Sequence, residues 1–173
     1  MSHVVVMGLM GAGKSTVAEA LARRLSRPWR DSDRDIEART GRTGREIAAQ
    51  QGVDELHRLE EAVLLDALAE LPDQVIAAAG WVVESTRCRA ALEPATVVFL
   101  DVEPAELQRR MASGRHRRAL STDELDRLVA ARSPLFHQVA DLVVDANGRP
   151  GDVVETILGS LGGITATKPG PNY

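Results

Sequence analysis

A chain of 173 residues, 44% of them hydrophobic, is long enough to bury the core of one domain without disulfides, metals or a partner, so a single-domain monomer is expected. The formal net charge of −4, with arginines and carboxylates mixed throughout, excludes non-specific nucleic-acid binding as the main activity. The lone cysteine, Cys88, excludes an internal disulfide, and no segment reaches the roughly 18 apolar residues of a membrane span, so a reducing, cytoplasmic setting is expected.

Met1-Ser2-His3 runs straight into Val4 to Met7 without the charged segment and cleavage site of a secretory leader, and the apolar β-branched run reads as a buried strand ending at Gly8. From Lys14 to Leu25, apolar Val17, Ala18, Leu21, Ala22 and Leu25 recur at helical spacing. Between strand and helix, Gly8-Leu9-Met10-Gly11-Ala12-Gly13-Lys14-Ser15 satisfies G-x-x-x-x-G-K-[ST] in the context that motif requires. The glycines let backbone N–H groups of Gly11, Ala12, Gly13 and the following residues converge on phosphate oxygens. Lys14 reaches the β and γ phosphates of ATP, and Ser15 offers a hydroxyl to Mg²⁺. Lys14 is also the only lysine before Lys168, which singles it out in a chain whose other basic residues are arginines.

Pro28 and Trp29 punctuate the exit from that helix, and Trp29 to Asp31 reads as a short second strand. Helices are expected over Ile36 to Thr40, Glu46 to Gln50 and Leu56 to Leu71, the last keeping Leu56, Leu59, Val63, Leu64, Ala67, Leu68 and Leu71 on one face before Pro72. Strands are expected at Val75 to Ala79, Thr96 to Leu100 and Leu142 to Val144, separated by helices near Ser85 to Leu92, Pro104 to Met111 and Thr122 to Ala131. A helix from Asp152 to Leu161 closes the domain, and residues 162–173 read as a flexible tail. Alternating strands and helices predict an α/β fold with a parallel sheet covered on both faces.

These motifs, taken in order to about Leu161, resemble the shikimate kinases, small P-loop relatives of the nucleoside monophosphate kinases. The resemblance implies a P-loop NTPase domain over residues 1–161, with a central five-stranded parallel sheet and a mobile lid at about 113–123. It also implies ATP-dependent phosphoryl transfer to a hydroxyl of a small metabolite, with Mg²⁺ as cofactor. Gly8 to Thr16 looks like the family's nucleotide loop, which adds Thr16 to the ATP contacts. Asp31-Ser32-Asp33 resembles its Asp-x-Asp segment, which would put Asp31 at the Mg²⁺ hydration shell and Asp33 at the acceptor hydroxyl as the proton acceptor. Taken alone, Asp31 and Asp33 also suit helix capping. Arg110 resembles an adenine-stacking arginine, and Val144 to Pro150, including Arg149 and Pro150, resembles the loop around the adenine. Arg117 or Arg118 falls where a lid arginine meets the transferring phosphates, and Arg132 falls on a clamp for the substrate carboxylate, so an anionic acceptor is compatible.

Two positions depart from the pattern. In Gly52 to Glu60, His57 takes the place of an arginine that grips the substrate carboxylate, with Arg58 rotated about 100° around the helix. In Val75 to Trp81, only Gly80 remains of three consecutive glycines, and Trp81 brings an indole. Both changes fall on the expected acceptor site, formed with Gly80, and they predict weak use of shikimate. A genuine shikimate kinase, a gluconate or sugar kinase, and a nucleotide-binding regulatory protein without acceptor phosphorylation stand as alternatives.

Overall fold

The computed structural model describes residues 2–113 and 120–164. Five strands form one sheet in which every pairing is parallel, in the order β2-β3-β1-β4-β5. They are β1 (Val4–Met7), β2 (Trp29–Asp31), β3 (Val75–Ala77), β4 (Thr96–Asp101) and β5 (Leu142–Asp145). The helices are α1 (Lys14–Leu25), α2 (Ser32–Thr40), α3 (Gly44–Gln51), α4 (Val53–Ala69), α5 (Thr86–Leu92), α6 (Pro104–Ser113), α7 (Thr122–Val139) and α8 (Pro150–Ile164). β1 is buried along its whole length, as its unbroken apolar sequence requires of a strand with neighbours on both sides and helices on both faces.

Because β1 is central, the chain runs to one side through α1 and β2 and to the other through β4, so the sheet changes direction at the carboxyl end of β1. Doubly wound sheets open their ligand crevice at that point. The main core joins the sheet to α1, α5, α7 and α8, and stacked Phe99 and Phe136 lie within it at a centroid separation of 4.8 Å. A second, smaller cluster of Ile36, Ile47 and Val63 holds α2, α3 and α4 together, with Leu56 and Leu59 packed against it. That cluster carries the helices of the expected acceptor site on their own apolar support.

Local signals account for most boundaries. Thr43 and Glu46 form a reciprocal capping box at α3, and Ser121 and Glu124 form another at α7. Gly41 stops α2 in the left-handed conformation, at φ 69°. Two segments differ from the sequence expectation. β3 ends at Ala77 instead of Ala79, and Gly80–Glu84 wind into a 3-10 helix that buries Val82 and Val83. α7 does not stop near Ala131 but continues through Pro134 to Val139, because burial of Phe136 against Phe99 compensates for the missing backbone donor. α8 likewise runs past Leu161 to Ile164. Within the lid range expected at 113–123, Ser113 ends α6 and Thr122 and Asp123 open α7, while residues 114–119 lie outside the described ones.

Candidate active site

The loop after β1 has the backbone its glycines allow. Gly13, at φ 92°, is the left-handed residue from which α1 starts, and a Cβ on Gly8 would stand 3.0 Å from the Leu100 carbonyl oxygen. The Ala12 N–H donates to the Leu9 carbonyl at 3.0 Å, and the Lys14 ammonium donates to the same carbonyl at 3.1 Å. The lysine thus bends back over a preformed loop at the amino end of α1, where ammonium and helix dipole together favour an anion. Ser15 and Thr16 follow in the first turn of α1.

Arg110 fastens this loop to the far side of the nucleotide region. Its Nη1 donates to the Gly11 and Ala12 carbonyls at 3.4 and 3.3 Å, and its Nη2 to the Ala146 and Asn147 carbonyls at 2.7 and 3.2 Å. Glu106 holds Nε at 2.8 Å. The guanidinium therefore ties the phosphate loop to the segment after β5, beside which Arg149 pairs with Asp152 on the surface and Pro150 opens α8. A cleft of about 380 Å³ borders the loop through Leu9 and Ala12, but it is lined by none of Asp33, His57, Glu60, Trp81 or Arg132.

Asp31 ends β2 as a buried residue, and its Oδ1 accepts from the N–H groups of Asp33 and Arg34 at 2.9 and 3.2 Å. Helix capping is therefore one of its roles. The cap fixes Asp33 in the first turn of α2, and no hydrogen bond from the described residues reaches the Asp33 carboxylate.

On α4, His57 and Glu60 share a face while Arg58 turns outward. Arg58 makes a two-pronged pair with Glu55, at 2.8 and 2.6 Å, on the exposed side of the helix and does not replace the missing arginine. His57 instead stacks on Trp81 of the 3-10 helix, with centroids 4.2 Å apart and planes 4° from parallel. Trp81 is part-buried and also packs against the main core. Burial first, and the nearby Arg132 charge second, hold the His57 imidazole below its usual pKa, so it is neutral at pH 7.

Arg132 reaches in from α7 and is 15% exposed, and its Nε donates to Glu84 Oε1 at 2.6 Å. At Gly80 a Cβ would lie 3.2 Å from the Gly8 carbonyl oxygen, a tight approach, and 3.4 Å from Arg132 Nη1, an ordinary contact. The arginine thus stands next to the start of the phosphate loop.

Sequence reasoning passed over two carboxylates. Glu84 is the partner of Arg132, 48 residues away in the chain. Glu60 has Oε2 withdrawn from solvent with no hydrogen-bond partner among the described residues, and burial, then the neighbouring Asp33, push its pKa up to about 7 against the opposing pull of Arg132 and Lys14. Glu60 closes the segment in which His57 was singled out, so its position was visible, but its burial was not. Arg117 and Arg118 lie outside the described residues.

The phosphate loop follows β1, Asp31 and Asp33 follow β2, and Arg132 of α7 lies beside Gly80 of the 3-10 helix. The family model for shikimate kinase matches residues 10–161. A shikimate kinase of Mycobacterium bovis (strain BCG / Pasteur 1173P2) is 41% identical over 162 residues, covering 91% of this chain and 92% of the relative. The structure of a shikimate kinase from Acinetobacter baumannii in complex with shikimate superposes with a TM-score of 0.87 at 29% identity, covering 97% of this chain and 96% of that one. A shikimate kinase from Aquifex aeolicus superposes with a TM-score of 0.83 at 30% identity, over 95% of this chain and 98% of that one.

Proposed function

The chain belongs to the shikimate kinase family of ATP-dependent phosphotransferases, and we propose that it transfers the γ-phosphoryl group of ATP to a hydroxyl of shikimate. One observation supports the site-level reading: a Cβ on Gly80 would lie 3.2 Å from the Gly8 carbonyl oxygen and 3.4 Å from Arg132 Nη1, so the start of the phosphate loop and the expected clamp stand side by side. Lys14 and the loop N–H groups bind the β and γ phosphates and hold the charge that grows on the equatorial oxygens. Asp33 orients the acceptor hydroxyl and takes its proton as the new O–P bond forms. Arg132 binds the acceptor, and Arg110 packs on the adenine and keeps loop and adenine segment in register. An arginine of the lid, Arg117 or Arg118, completes the charge cradle.

The oxygen donors present fit Mg²⁺. Among the described residues, no three His, Cys, Asp or Glu side chains come together to hold a metal, so no all-protein cage exists. Mg²⁺ suits sites that supply one or two oxygens and leave the rest to phosphates and water. Ser15 would be its direct protein ligand, with Asp31 acting through water. When bound, the ion would neutralise charge on the phosphates as the phosphoryl group leaves.

The weakened carboxylate grip, with His57 in the arginine position, bears on the affinity for shikimate and raises its KM. The protein acts as a monomer in the cytoplasm; no helix among the described residues is long and apolar enough to cross a membrane. The deciding experiment is ADP release with Mg-ATP in the presence of shikimate, gluconate, simple sugars and cyclitols. Shikimate-dependent turnover with phosphorylated shikimate as product is expected. Turnover with gluconate or a sugar but not shikimate would reject this acceptor, and ATP binding with no acceptor-dependent turnover would favour a regulatory protein.

A further inference from the structure

The acceptor site of this chain is poor in cations. Among the described residues that line it, Arg132 is the only guanidinium, and its Nε is already engaged by the Glu84 carboxylate at 2.6 Å. Arg58 is turned outward onto Glu55. His57, in the position where the resemblance calls for an arginine, is neutral at pH 7, and Asp33 and Glu60 add further carboxylates. Among the described residues an anionic acceptor group would therefore meet one arginine, whose charge is already offset by Glu84. What stands there in place of a second cation is a pair of part-buried rings, His57 of α4 and Trp81 of the 3-10 helix, stacked with planes parallel to within 4°. Parallel rings of this kind pack well against the apolar face of another ring, whether or not that ring bears a charge.

We propose that acceptor recognition here has moved from gripping a carboxylate to stacking a ring, so that the His57–Trp81 plate determines specificity and a neutral cyclic polyol serves as well as its acid. The proposal rests on the phosphotransferase reading above and deepens it by naming the acceptor class. Where a site depends on charge-assisted hydrogen bonds to a carboxylate, removing that charge costs about one to two powers of ten in kcat/KM. Here esterification costs little, and Glu84 acts as a positioning residue that holds Arg132 while offsetting its charge.

The test compares shikimate with its methyl ester, and both with a neutral cyclitol, as acceptors at saturating Mg-ATP and pH 7.5. For the wild-type protein the acid-to-ester ratio of kcat/KM is expected within about fivefold of unity, against the tens-fold of a carboxylate clamp. Trp81→Gly combined with His57→Arg should raise that ratio at least tenfold, and Glu84→Gln should raise it as well. Because the double variant can fail to fold, binding is also followed in a Trp29→Phe background, where Trp81 is the one remaining tryptophan of the two in the chain. Acid and ester should then perturb its emission at similar concentrations. A wild-type ratio above about fifty, or unchanged Trp81 emission at saturating acceptor, overturns the plate. Turnover of the cyclitol alone would reject shikimate while supporting the plate, and turnover of the acid alone would support shikimate and reject the plate.

Discussion

Glu60→Gln should abolish a loss of stability that the wild-type protein suffers as the pH rises. With its folded pKa pushed up to about 7 from an ordinary value of 4.5, Glu60 binds a proton in the native state that the unfolded chain gives up earlier. Its contribution is fully present below about pH 4.5 and is lost as the pH climbs through about 7. At about 1.4 kcal/mol per pKa unit, the full loss is about 3 kcal/mol, of which about 2 to 3 kcal/mol falls between pH 5 and pH 8. The glutamine variant has a similar shape and no titration there. Its amide still meets the cavity that leaves Oε2 unpartnered, which lowers its stability by the same amount at every pH. The difference in slope, not the level, is therefore the readout. Urea titrations of nucleotide-free protein at pH 5, 6, 7 and 8 should show wild type falling relative to the variant, equivalent to a melting shift of about 5 to 10 °C at pH 8 relative to pH 5. Parallel profiles would show that Glu60 is solvated and ionised in the folded protein, and the buried-carboxylate account of the site would fail.

Lys14→Ala should leave a folded protein with at least about a hundredfold slower transfer, because the ammonium acts where charge builds at the phosphates; unchanged kcat would remove the loop from the mechanism. Asp33→Asn should keep ATP affinity, measured by nucleotide titration, and lose acceptor phosphorylation, since the amide can orient a hydroxyl but cannot take its proton. An equal failure of ATP binding would move Asp33 to the metal. Phe136→Ala should destabilise the fold by about 3 to 5 kcal/mol in urea unfolding, because the ring is fully buried and stacked on Phe99. A loss below about 1 kcal/mol would mean that α7 is not anchored through this ring.

What the sequence made legible followed from local rules. β1, the glycine loop and α1 stand where the apolar run, the motif and the three-four spacing put them, because strand, turn and helix there each obey a short-range pattern. The 3-10 helix at Gly80–Glu84 escaped notice because five residues give no periodicity, and the apolar run from Val75 carried the expected strand on to Ala79. The continuation of α7 through Pro134 depends on a partner ring 37 positions away, which no window over the helix contains. The same holds in the site. His57 and Trp81 were each visible as departures, but their stacking joins two elements 24 residues apart, and the Arg132–Glu84 pair spans 48. Residue types could be read from the chain, whereas their orientation depended on contacts made only after folding.

The position of β1 has a consequence for how the protein comes into being. Of the five strands of the sheet, the one made first is the middle one, and its neighbours follow some seventy and ninety residues later, with Val4 beside Val75 on one side and Thr96 on the other. Until β4 has been made, β1 has at most one flank covered, and the backbone cradle hung from its end lacks the Leu100 carbonyl that packs against Gly8. More than half the chain must therefore be synthesised before a phosphate can be held, and the nascent chain carries its most apolar strand uncovered for that time. Such distant pairing slows folding and exposes an aggregation-prone edge. ATP, which binds only the finished cradle, would pull the last steps of folding forward by mass action.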